Sequence, residues 1–567
     1  MEKIYDFDSH IERRGTHCLK HDAMKEFFGR EDLIPLWVAD MDFATPDFIR
    51  EALRERLEHP ILGYTIEYDS YWQSVQNWLM QRHGWQVKRE WMRYIPGIVK
   101  GIGMVINRFT NPGDKIIIQP PVYHPFRLVP EHNQREIVTN PLRRTECGYE
   151  MDFENLEQVI DDKCKVMILA NPHNPVGITW SKETLARLAD IAVKHNIVVI
   201  SDEIHCDMPL YGNHHTPFAT VSENAARCSI TFGAPSKTFN IAGVVSSYCV
   251  VPNEEIRNHF FGYLSANEFD MATIFAMTAT EAAFTKGENW RQQMITYIEG
   301  NINFVEEYLK TNIPEVKIIK PQASYLVWVD FSGLGLKHEA LVDMLINKAH
   351  LAMNDGASFG KEGEQHMRMN VGTTRDVLLK ALEQLKAAIN EIKQKRNMIY
   401  RFRMLSDEND NFVRDFEVKA TDTLLDLHDF IIKMLRYDQC MASFFTADDR
   451  WERQQEYTYM DMDGGMGDGG NGMPLPMATA HLEDVLLHLH DRLIYVFDPF
   501  TQRAYYIELI EAKEAQKGME YPRLQFAHAS TPDQYDPEAN EEGGSIFDEM
   551  MGEYNDFDGD DNYDDEY

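Results

Sequence analysis

Several common signatures are missing from this 567-residue chain, and each absence narrows what it can be. Its seven cysteines, at 18, 147, 164, 206, 228, 249 and 440, form no CxxC, no paired spacing and no cluster with histidine. That pattern gives no support to structural zinc. The opening MEKIYDFDSH lacks a basic-then-apolar leader, and no apolar run reaches the length of a bilayer span. The expectation is a soluble cytoplasmic protein. No repeat of fixed period is present. Cations are missing altogether from Leu524 to Tyr567, while the whole chain carries a formal charge of -35. Such a surface repels nucleic-acid phosphates, so nucleic acid is not an expected partner.

What is present is enough apolar sequence for several cores, 44% of residues. Short β-rich runs, KIIIQ (115–119), KVMILA (165–170) and IVVIS (197–201), alternate with longer amphipathic stretches. Between the last two lies SKETLARLADIAVKHN (181–196). Its Leu185, Leu188, Ala189 and Ala192 share a helical face, and Ser181 stands at the N-cap position. Strand, helix, strand predicts a mainly parallel sheet with ligands at the carboxyl ends of its strands. Helices are expected at 287–312, 338–350 and 376–396 and a strand at 324–331, together a smaller α/β layer. Near residue 400 the character changes. YRFRML, FEVKA and TLLDLHDFIIKML read as strand, strand and helix, DMDGGMGDGGNGMPLP (461–476) as a loop, and the acidic end as a disordered tail. The expected division is an N-terminal segment at 1–50, a large domain at 51–285, a small α/β domain at 286–397, an α+β domain at 398–528 and a tail at 529–567.

The chemistry-bearing residues come directly after strands. Lys237 sits in ITFGAPSKTFNIAG (230–243), a small, apolar, turn-like run, where it is either a surface lysine on a loop or an amine held in a closed site for covalent chemistry. Asn174 lies in ANPHNPVG (170–177), Asp202 opens the turn SDEIHCD (201–207), and Tyr123 stands in PPVYHPF (120–126). Alone, each is an ordinary loop feature. Together they meet the needs of pyridoxal phosphate: an amine to bond it, a carboxylate for its ring nitrogen, a donor to its phenolic oxygen and an aromatic over its ring. Ser236 and the turn Pro96-Gly97-Ile98-Val99, entering a helix, supply phosphate donors.

The motifs YIPGIVKGI, PPVYHPF, NPHNPVG, SDEIHCD and APSKTFNIAG resemble, in that order, the fold-type I pyridoxal phosphate enzymes. With IPLWVADMDF (34–43), GYT (63–65) and MRMNVGTTR (367–375), residues 1–395 are more narrowly similar to the cystathionine beta-lyase, or cysteine-S-conjugate beta-lyase, branch of the class I/II aminotransferases. The resemblance implies an aspartate aminotransferase-like α/β fold with a mainly parallel central sheet, and pyridoxal 5'-phosphate as cofactor. It implies that Lys237 is the Schiff-base lysine and proton carrier, Asp202 the partner of the ring nitrogen and Asn174 that of the phenolic oxygen. His205 stands where aminotransferases often place a tyrosine for the same oxygen. Tyr123 would stack on the ring, Ile98, Val99 and Ser236 would hold the phosphate, and Tyr64 would reach in from a second subunit of a homodimer with shared sites. Arg368 would clamp the substrate carboxylate, a bidentate task suited to guanidinium, beside Asn174, Val38 and Ala39 at the substrate end. Trp37 and His173 read as packing and loop structure, Cys206 as a buried thiol. Two departures stand out: Val245 replaces an arginine often found eight residues after the lysine, with Lys100 a nearby substitute, and GKEGEQH precedes MRMN.

The activity implied is β-elimination from cystathionine or another cysteine conjugate, giving a thiol, pyruvate and ammonia. Transamination of an amino acid is the rival, and a cofactor-binding regulator a lesser alternative. Residues 400–528 resemble the plasmid pRiA4b ORF-3-like family through the YRF opening, the TLLDLH helix and the YVFD strand. That domain is read as a module for protein contact; no catalytic constellation stands out in it.

Overall fold

The computed structural model describes residues 3–145, 148–459 and 474–535. It divides into two compact units, Met1–Ala388 and Ile389–Tyr567. Much of the expected loop at 461–476 and the tail beyond residue 535 lie outside the described residues, as does Cys147.

Seven strands build the central sheet of the first unit: β1 (Met92–Ile95), β2 (Lys115–Ile118), β3 (Glu136–Thr139), β4 (Cys164–Ala170), β5 (Val198–Asp202), β6 (Ser229–Gly233) and β7 (Ser247–Val250). Their order is β1-β7-β6-β5-β4-β2-β3. Strand β7 runs antiparallel to both neighbours, whereas β6, β5, β4, β2 and β3 pair in parallel. Strands β2, β4, β5 and β6 are buried on both faces over most of their length, which is why they read as continuous apolar runs rather than alternating ones; edge strand β3 is only partly covered. One core lies to each side. Ile102, Val105, Ile168 and Phe232 belong to the first. Leu169, Leu185, Leu188 and Trp328 belong to the other.

Local chemistry fixes the element ends. Helix α1 (Ile98–Phe109) begins after Gly97, whose φ of 111° is a backbone region that side chains rarely adopt. Helix α2 (Lys182–Lys194) starts as expected at Ser181, whose hydroxyl accepts from the Thr184 amide. Gly233 ends β6 directly opposite Tyr248, and a Cβ there would come within 2.6 Å of the tyrosine ring. The smaller layer contains helix α3 (Glu288–Asn312) and the antiparallel strands β8 (Lys317–Ile319), β9 (Leu326–Asp330), β10 (Asn354–Asp355) and β11 (His366–Asn370), in the order β8-β9-β11-β10. The helix expected at 338–350 is shorter: an α-helical His338–Asp343 passes into a π turn at Met344–Lys348. The last helix of this layer, α4 (Arg375–Arg396), begins just after the strand that carries Arg368.

The second unit carries an eight-stranded sheet among the described residues and a helix, α5 (Leu424–Leu435). A reciprocal capping box between Thr423 and Asp426 starts that helix. Leu427 and Ile431 on it pack with Phe402, Phe416, Leu493 and Tyr495 in the sheet. Buried carboxylates in the sheet are paired, Asp415 with Arg401 and Arg403, and Glu417 with Lys513 and Arg523. No described helix of the protein is long and apolar enough to cross a membrane.

Candidate active site

The carboxyl ends of the parallel strands converge on a cavity of about 940 Å³. Strand β2 leads to Tyr123, β4 to Asn174, β5 ends on Asp202, and β6 leads to Ser236 and Lys237. Strand β1 leads through Gly97 to the start of α1, so Ile98 and Val99 present a helix N-terminus to the same space. Arg368 enters from β11 of the smaller layer, and Val38 and Ala39 from the N-terminal segment. Thus eleven of the twelve residues singled out from the sequence line one cavity: Lys237, Tyr123, Asp202, Ile98, Val99, Asn174, His205, Ser236, Arg368, Val38 and Ala39. The twelfth, Tyr64, does not; it lies in an irregular segment at 103% exposure and does not line this chain's own cavity.

The polar groups in the cavity are tied together. Lys237 Nζ donates to the Ala39 carbonyl at 2.6 Å, and the Tyr325 hydroxyl donates to that same oxygen at 3.0 Å. Arg368 donates to Asn174 Oδ1 at 3.0 Å, to Asn354 Oδ1 at 2.6 Å and to the Trp37 carbonyl at 3.2 Å. Its Nε is buried with no hydrogen-bond partner in the structure. The Ile204 amide donates to Asp202 Oδ1 at 3.1 Å. His205 Nδ1 and Ser324 Oγ lie 3.0 Å apart.

Burial dominates the electrostatics. It lowers Lys237 to about 8, and the Arg368 guanidinium pushes in the same direction, against the smaller pull of Asp40 and Asp202. An amine with that pKa is neutral, and so nucleophilic, far more often at neutral pH than an ordinary lysine. Burial also drives Asp202 up to about 7, opposed by the Ile204 amide and Lys237. A cationic N–H placed against Asp202 would restore its charge. His205 is lowered to about 3 by burial and is a neutral imidazole.

Several structural devices were not legible in the sequence. Asn240 has a φ of 55° and spends its side chain on the N-terminal segment, accepting from the Met41 amide and donating to the Met41 and Phe43 carbonyls. Asn370 donates to the Val38 and Asp40 carbonyls, each at 2.6 Å. These two asparagines clamp residues 38–43 between the turn that carries Lys237 and the strand that carries Arg368. Behind the turn, buried Asp207 accepts from Trp78 Nε1 at 2.9 Å and lies 3.1 Å from His83 Nε2. Val245, which replaces the family's frequent arginine, lines the cavity with φ 56°, a disfavoured conformation for a β-branched residue, and its carbonyl accepts from the Tyr94 hydroxyl. Lys100 is exposed at the cavity edge. His173 packs edge-on against Trp180, and the Cys206 thiol is pushed well up by burial, so neither is a reactive group.

A primary amine, a carboxylate with no ion pair among the described residues, an amide, a phenol ring and a glycine-initiated helix N-terminus surround one space. That donor set fits pyridoxal phosphate. It defines an α/β enzyme site of the kind that binds this cofactor at the ends of parallel strands. The family model described as aminotransferase class I and II matches residues 31–385, and the chain belongs to that family. A second model, plasmid pRiA4b ORF-3-like protein, matches residues 399–561. The chain is 44% identical over 386 residues to cystathionine beta-lyase PatB of Bacillus subtilis, covering 68% of this chain and 100% of the relative. It is 30% identical over 393 residues to protein MalY of Escherichia coli, covering 69% of this chain and 100% of the relative. Among solved structures it matches cystalysin from Treponema denticola, which contains pyridoxal 5'-phosphate, at TM-score 0.67 and 34% identity, covering 69% of this chain and 100% of that one.

Proposed function

We propose that the protein is a pyridoxal phosphate-dependent carbon–sulfur β-lyase that cleaves cystathionine or another cysteine-S-conjugate to a thiol, pyruvate and ammonia. One observation carries the reading: half-buried Lys237, with its lowered pKa, shares a cavity with buried Asp202 and Arg368. The 44% identity to cystathionine beta-lyase PatB supports elimination over transamination.

When bound, the cofactor supplies an electron sink for the pair released as the substrate's Cα–H bond breaks. The remaining work belongs to the chain. Arg368 holds the substrate α-carboxylate, and its contacts to Asn174, Asn354 and the Trp37 carbonyl fix the plane of the guanidinium while leaving Nε and one N–H of Nη1 uncommitted. Lys237 Nζ takes the α proton; the Ala39 carbonyl is the acceptor that aims it. Asp202 would partner the ring nitrogen, and a buried carboxylate there would favour the protonated ring. Asn174 and His205 would meet the phenolic oxygen, Tyr123 would stack on the ring, and Ile98, Val99 and Ser236 would hold the phosphate. The pair of asparagines around residues 38–43 keeps these groups in register. With a cysteine conjugate, thiol and pyruvate are expected in equal amounts without any added keto acid. Amino transfer to an added keto acid, with no thiol released, would replace this reading by the transaminase one.

The proposal includes a homodimer in which Tyr64 completes the partner's site. The supporting observation is an irregular segment with Ile61, Leu62, Tyr64 and Ile66 all exposed, an apolar run that a monomer leaves in water. Tyr64→Ala is expected to lower kcat/KM about 100-fold. Mixing that variant with Arg368→Ala is expected to restore activity in hybrid dimers, because one of the two sites then carries neither substitution. Absence of restoration among demonstrated hybrids would place Tyr64 outside the partner's site. The proposal also takes the cytoplasm as the compartment, in keeping with six free thiols among the described cysteines. It takes residues 398–528 as a module for protein contact.

A further inference from the structure

The stretch RRGTHCLKHD (13–22) has no part in the chemistry above, yet it folds into a hook that presses two cations onto two carboxylates beside the site. Gly15 turns the chain with a φ of 74°. Asp22 accepts from the Gly15 and Cys18 amides at 2.8 and 2.9 Å, and the Thr16 hydroxyl donates to the Arg13 carbonyl at 2.6 Å. The hook thereby delivers Arg13 and Lys20 to one segment, residues 40–42. Arg13 donates to the two oxygens of Asp40 at 3.1 and 2.7 Å, to Asp42 Oδ1 at 2.8 Å and to the Met41 carbonyl at 3.2 Å. Lys20 is fully buried. Its Nζ donates to Asp42 Oδ2 at 2.9 Å and to the Asp40 carbonyl at 3.3 Å, while its own carbonyl accepts from Trp37 Nε1 at 2.9 Å. His21 Nε2 lies 3.6 Å from Asp42 Oδ1.

Buried charges are costly unless paired, and here two cations balance two carboxylates. Burial pushes the Asp42 carboxyl up, but Lys20, His21 and Arg13 together hold it well below the usual carboxylate range. The segment so held begins next to Ala39, whose carbonyl accepts from Lys237 Nζ at 2.6 Å. The charge of Asp40 also reaches that amine: burial and Arg368 lower Lys237, whereas Asp40 and Asp202 pull it upward. A carboxylate stripped of its cations would pull harder. Asn240 and Asn370 bond only the backbone of this segment. The hook is what meets its side-chain charges.

Resting on the reading of Lys237 as the reacting amine, the geometry points to Arg13 and Lys20 as positioning residues for the reaction. Through Asp40 and Asp42 they fix the segment so that the Ala39 carbonyl meets Lys237 Nζ, and they balance the charge of Asp40 close to that nitrogen. Neither lines the cavity.

The test compares Lys20→Gln, and the charge-balanced double variant Lys20→Gln/Asp42→Asn, with the parent holoenzyme. In Lys20→Gln, kcat for a cysteine conjugate is expected to fall about tenfold, with KM changed less than about threefold. A second readout needs no turnover: the pH midpoint of the bound cofactor's absorbance change, which reports the proton on Lys237 Nζ. That midpoint is expected to rise by about one unit in Lys20→Gln, a tenfold gain in proton affinity, and to return close to the parent value in the double variant. Where Lys20→Gln fails to fold, Arg13→Gln, at a side chain 20% exposed rather than fully buried, carries the same expectations. An unchanged midpoint in a folded variant would overturn the inference, whatever kcat does. So would a midpoint raised equally in the double variant, since charge balance would then not be its cause. Failure of the Lys237 reading looks different: the parent protein binds the cofactor, but borohydride fixes it on another lysine.

Discussion

Replacing Lys237 by alanine is expected to lower thiol release from any cysteine conjugate by about 10⁴-fold or more, with the fold retained. General-base catalysis alone is worth about 10²–10⁴-fold, and loss of the covalent amine adds to it. The side chain's hydrogen bond goes to the Ala39 carbonyl, which keeps the Tyr325 hydroxyl as a second donor, so the substitution leaves no buried acceptor unpaired. Steady-state kinetics measure the loss, and a thermal unfolding profile close to that of the parent protein separates chemistry from folding. Retention of more than about one-tenth of the activity would remove Lys237 from the reaction.

Asp202→Asn is the second large effect. Asparagine is nearly isosteric and can still accept from the Ile204 amide, so the turn after β5 should persist. It carries no charge, and in a site this buried the charge is what holds a ring nitrogen protonated. A loss of about 10²–10³-fold in kcat is expected, the scale found when one preorganised electrostatic group is removed from a reacting centre. KM for the conjugate should move far less, because Arg368, not Asp202, is the residue proposed to meet the substrate carboxylate. An equal loss spread over KM would make Asp202 a structural residue. Its raised pKa adds a sign that can be checked. Without a cationic partner, Asp202 binds a proton more tightly folded than unfolded, so its contribution to apoprotein stability is lost as pH rises through about 7. Cofactor binding should offset that loss most strongly above this pH.

The sheet and the main cavity-lining groups were legible because each group follows the end of an unmistakable strand. KVMILA and IVVIS are apolar on both faces, so they had to be central, and the turn leaving a central parallel strand faces the ligand crevice. Lys237, Asp202 and Asn174 are placed by that rule together with the cofactor's needs. The groups that position them do not show at this range. Asn240 and Asn370 act on backbone carbonyls of residues 38–43, about 200 and 330 positions away in the chain, and a carbonyl acceptor leaves no mark on sequence. Tyr325 sits in SYLVWVDF, a run that reads only as a buried strand, yet its hydroxyl shares the acceptor used by Lys237. The EFF of residues 26–28 reads as ordinary helix packing until Phe27 and Phe28 are seen against Trp37 at the cavity mouth. The helix expected at 338–350 was cut short because its second half relaxes into a π turn, a choice made by packing rather than by residue type.

One bond, between Lys237 and the cofactor, is central to the proposed chemistry. Holoenzyme treated with borohydride, digested and mapped by mass spectrometry is predicted to carry the reduced pyridoxyl group on the peptide containing Lys237 and on no other. A label on a different lysine, or no label on protein that had shown the cofactor's absorbance, would contradict it.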